Sequence, residues 1–131
     1  MKINNLNDKK ATLKEQAQRI CDSIAKYSVL NDEDLQYKIQ GRILNEANQG
    51  ERYLNIYLRQ FPKNYSGAHG FSIDSIVIDL CNYPTTTMEE VYNDLSTWFQ
   101  TQGFLPQDIF YTPSKANDFN EPLIATVTVK W

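Results

Sequence analysis

Residues 35–50, LQYKIQGRILNEANQG, admit two readings, and the choice between them decides the fold. At a period of 3.6, Leu35, Ile39, Ile43 and Ala47 line one side of a helix that starts behind Asp32, Glu33 and Asp34 and stops at Gly50. At a period of two, Tyr37, Ile39, Gly41 and Ile43 alternate with Lys38, Gln40 and Arg42, and Asn48, Gln49 and Gly50 turn the chain into RYLNIYLRQ. A glycine inside a helix costs about 1 kcal/mol relative to alanine, and the run that follows is a strand in need of a neighbour. The expectation is a hairpin.

In that following strand Leu54, Ile56 and Leu58 share one face, and Tyr53, Asn55, Tyr57 and Arg59 share the other. Upstream, residues 9–27 place Leu13, Ala17, Ile20, Cys21, Ile24 and Tyr27 at helical spacing, while Lys14, Glu15, Gln18, Asp22 and Lys26 form a wet side. Downstream, residues 71–80, FSIDSIVIDL, carry Ile76, Val77 and Ile78 in succession, the pattern of a strand covered on both faces in the middle of a sheet. A second helix is expected at 86–102, with Thr86 or Thr87 as N-cap, Glu89 or Glu90 three residues on, Met88, Val91, Leu95 and Trp98 inward, and Gly103 as its stop. Residues 107–112 then form a short strand, 113–122 a polar loop, and 123–131, LIATVTVKW, a closing strand.

The sum is a single α+β domain over residues 1–131, with residues 1–8 expected to be flexible. A mainly antiparallel sheet of four to five strands is backed by an N-terminal helix and the helix at 86–102. The chain from strand 72–80 through that helix can return parallel. With 41% hydrophobic and 22% charged residues, no leader at MKINNLNDKK, and no run near the ~18 apolar residues that span a bilayer, the expected setting is cytoplasmic and away from membranes. Cys21 and Cys81 stand 60 positions apart without a CxxC pair or a histidine cluster, so two buried thiols are expected, with no metal and no cofactor.

Charge is uneven: residues 1–60 carry ten Lys or Arg against eight Asp or Glu, and 61–131 carry three against eight. The basic residues of the first helix are interleaved with acidic ones, so no stripe exists to neutralise a run of phosphates, and tight direct binding of nucleic acid is disfavoured.

The only histidine, His69, sits in SGAHG between Gly67 and Gly70, five residues before Asp74. His69 with Asp74, helped by Tyr65, Ser66 or a distant Glu90, is the catalytic candidate for a small hydrolase or nuclease. Against it stands the simpler reading of a glycine-flanked loop between strands. SGAHG lacks the lysine and the following helix of a phosphate loop. Asp74 and Asp79, five apart on a strand, point to opposite faces, and Glu89, Glu90 and Asp94 suit capping and solvation of a helix start.

The tyrosines carry more, with a second layer such as the first helix covering their face as the alternative to an exposed patch. Tyr53, Tyr57 and Arg59 on one strand face, with Tyr37 and Arg42 from the expected hairpin partner, make an aromatic and arginine patch of the type enriched in protein interfaces. The same layout can stack single-stranded bases, which keeps an accessory nucleic-acid binder, or an inhibitor of an enzyme acting on nucleic acid, as a further alternative. The order of elements resembles small bacteriophage head and tail assembly proteins in layout, without a shared motif, and twelve asparagines suit an accessory protein from an AT-rich genome. The expectation is a non-enzymatic interaction or assembly protein that binds itself or another protein through a sheet edge and the tyrosine face.

Overall fold

A computed structural model of the chain describes residues 11–60, 75–114 and 123–131. Among these residues are three α-helices, α1 (Leu13–Ser23), α2 (Glu33–Asn48) and α3 (Met88–Thr101), and four strands, β1 (Tyr53–Gln60), β2 (Ile76–Asp79), β3 (Ile109–Thr112) and β4 (Leu123–Lys130). Short 3-10 turns occupy Val29–Asn31 and Pro106–Asp108. The strands form one sheet in the order β2-β1-β4-β3. Two of its pairings are antiparallel, β1 with β4 and β4 with β3, and β1 pairs with β2 in parallel. The fold is α+β with a mixed sheet.

Residues 35–50 are a helix, which corrects the hairpin. The Asp32 side chain accepts from the Leu35 N–H, and Glu33 and Asp34 sit at the positive end of the helix dipole. The asparagine–glutamine–glycine run is the helix stop. Gly50 has φ +83, its N–H donates to the Ala47 carbonyl at 3.0 Å, and the Glu51 N–H donates to Glu46 at 3.0 Å. That pair of bonds is a Schellman closure, and it requires the left-handed conformation that glycine supplies. Ile39 is fully buried and Leu35 and Ile43 pack against the core, whereas Tyr37 and Gly41, inward in the period-two reading, are exposed.

The helix α3 follows its sequence signals closely. Thr87 and Glu90 form a capping box, with Thr87 Oγ1 accepting from the Glu90 N–H at 3.1 Å and the Glu90 carboxylate accepting from the Thr87 N–H at 3.3 Å. At its far end Gly103, at φ +96, lets the Phe104 N–H reach the Phe99 carbonyl at 3.1 Å and brings the two rings within 5.4 Å. Its inward stripe of Met88, Val91, Leu95, Trp98 and Phe99 meets Leu54, Ile56 and Leu58 of β1, Ala125, Val127 and Val129 of β4, and Ile76 and Ile78 of β2 in one core.

Three further expectations change. Among the described strands β2 lies at the end of the order and not in its middle, and Val77, whose apolarity suggests cover on both sides, is only half-buried on the face away from the helices. Both cysteines are exposed, not buried. Finally, every residue of α1 is exposed, with Leu13 at 81% and Ile20 at 64%, so its apolar stripe does not meet the core. Four strands about 4.8 Å apart make a layer roughly 19 Å wide, which two helices of about 10 Å fill. Among the described residues, α2 and α3 already take up that layer.

Candidate interaction surface

The register fixes the composition of the sheet's second face. Period-two alternation puts Leu54, Ile56 and Leu58 inward, so Tyr53, Asn55, Tyr57 and Arg59 point the other way. Across the strands, Tyr53 lies opposite Lys130, and Asn55 opposite Thr128, which faces Phe110. A central row runs Val77, Tyr57, Thr126, Thr112, and the last row is Asp79, Arg59, Ile124. None of these twelve residues is buried, in contrast to the opposite face, where β1 and β4 place Leu54, Ile56, Leu58, Ala125, Val127 and Val129 in the core.

The surface is sparsely charged and apolar near its centre. Tyr53 is 49% exposed and Phe110 44%. The Arg59 guanidinium donates to Asp79 Oδ2 at 2.8 Å, and the Lys130 ammonium stands 4.9 Å from the Phe110 ring centre. Thr128 Oγ1 donates to Asn55 Oδ1 at 2.6 Å, a side-chain bond across the two strands within the surface. Partial burial pushes the Asp79 carboxyl up, but hydrogen bonds from Cys81 and Arg59 outweigh it and hold the group below the usual aspartate range. The link between β1 and β2 is thus at full strength at neutral pH and weakens as acid protonates Asp79.

The predicted patch is brought together in part. Tyr53, Tyr57 and Arg59 share the open face as expected. Tyr37 and Arg42 belong to α2, not to a neighbouring strand, so they do not extend that row. Tyr37, 79% exposed, stands apart from it. Arg42 donates to Glu46 at 2.9 Å, an (i, i+4) pair, and with Glu46, Glu51, Asn55, Tyr53 and Tyr57 it lines a polar cavity of about 230 Å³ beside the start of β1. Val77, Phe110, Ile124 and Thr126 complete the open face and were not singled out from the sequence. The alternation of LIATVTVKW carries the signal for two of them, once its inward positions are known.

Other tyrosines serve the fold. Tyr92 and Tyr111 stack at 4.9 Å, and burial, reinforced by Glu89, pushes the Tyr111 phenol above its ordinary value. The Tyr27 phenol is driven up further, first by burial and then by its 2.6 Å hydrogen bond to Asp32. The acidic group at the start of α3 is engaged structurally: Glu90 caps the helix and accepts from Lys26 at 3.3 Å, and Asp94 accepts from Ser28 at 3.4 Å. His69 and Asp74, the catalytic candidates, lie outside the described residues. Among the described residues no group of three His, Cys, Asp or Glu side chains is placed to hold a metal ion, and no helix is long and apolar enough to cross a membrane. No protein-family model matches the chain, and neither a characterised protein nor a solved structure does.

Proposed function

We propose that this is a non-enzymatic association protein whose working surface is the open face of the sheet, centred on Tyr57 and Thr126. The observation that carries the reading is the contrast between the two faces. One is closed by α2 and α3, while the other leaves Tyr53 and Phe110 exposed and Tyr57, Val77 and Ile124 half-buried. Tyrosine and phenylalanine offer large contact area at small entropic cost, and the threonines between them hydrogen-bond without adding charge, which is the chemistry of interface centres. Four-residue edge strands β2 and β3 leave little backbone for strand addition, so the reading favours the face over the edge. The accessory role in assembly suggested by element order belongs to the same proposal and rests on layout alone.

A negative charge at the centre of the face tests it. Thr126→Glu places a carboxylate beside Tyr57 and Thr112 without touching the core, since Thr126 alternates with the buried Ala125 and Val127. Sedimentation velocity across a concentration series is expected to show a multimer for the wild-type chain and a 15.2 kDa monomer for the variant, at equal thermal stability. A wild-type multimer that Thr126→Glu leaves intact contradicts the proposal, as does a wild-type monomer at every concentration.

A further inference from the structure

We draw no further inference here: the strongest candidate, the exposed apolar stripe of Leu13, Ala17, Ile20 and Ile24 along α1, carries nothing because no feature of the structure shows what covers it.

Discussion

Proline at position 41 is expected to cost at least about 3 kcal/mol and to lower the helical circular dichroism of the whole protein, because Gly41 lies in the interior of α2. The ring would remove one helix N–H and collide with the carbonyl four residues earlier. It would thereby disturb the turn that holds Ile39, fully buried in the core. The companion change moves the other way. A Cβ added at Gly41 meets no atom within 4 Å, so Gly41→Ala is expected to raise stability by about 0.5–1 kcal/mol through the helix interior's preference for alanine. Urea unfolding of the three proteins checks both signs. A proline variant as stable as wild type would restore the hairpin.

Phe99→Ala is the second large effect. Phe99 is fully buried, tilted against Trp98 at 5.1 Å and edge-on to Phe104 at 5.4 Å. Phe104 is held there by the Gly103 closure of α3, so the ring pair joins a helix stop to the core. Deleting a buried phenylalanine costs about 3–5 kcal/mol, a large share of the roughly 5–15 kcal/mol available to a domain of this size. The urea midpoint is expected to fall steeply with an unchanged slope. A loss under about 1 kcal/mol would mean that Phe99 does not sit where the core places it.

The elements legible in the sequence are those whose signals are local and redundant. Thr87, Glu90 and Gly103 mark both ends of α3 independently of its apolar stripe. The strict alternation of β1 and β4 sorts their two faces without reference to any neighbour. Residues 35–50 misled because Gly50 serves two grammars, a hairpin turn and a helix stop, and only the Glu46 and Ala47 carbonyls, reached by the Glu51 and Gly50 N–H groups, distinguish them. Gly41 weighed against a helix there, yet Ile39 burial and the Asp32 cap outweigh roughly 1 kcal/mol. The stripe of α1 shows that a face needs cover but not whose, since that depends on how many helices the sheet can hold. Likewise Tyr53, Tyr57 and Arg59 were legible as a face, whereas Phe110 and Ile124 joined them only through a register that sequence does not state.

The most direct measurement of the open-face account is hydroxyl-radical labelling of the wild-type protein at low and high concentration, read residue by residue by mass spectrometry. Tyr57 and Phe110 are expected to be labelled when dilute and protected when concentrated. Tyr37, 79% exposed and away from the sheet, is expected to be labelled equally in both. Equal labelling of Tyr57 and Phe110 at every concentration would contradict the account, because the face on which it rests would then never be covered.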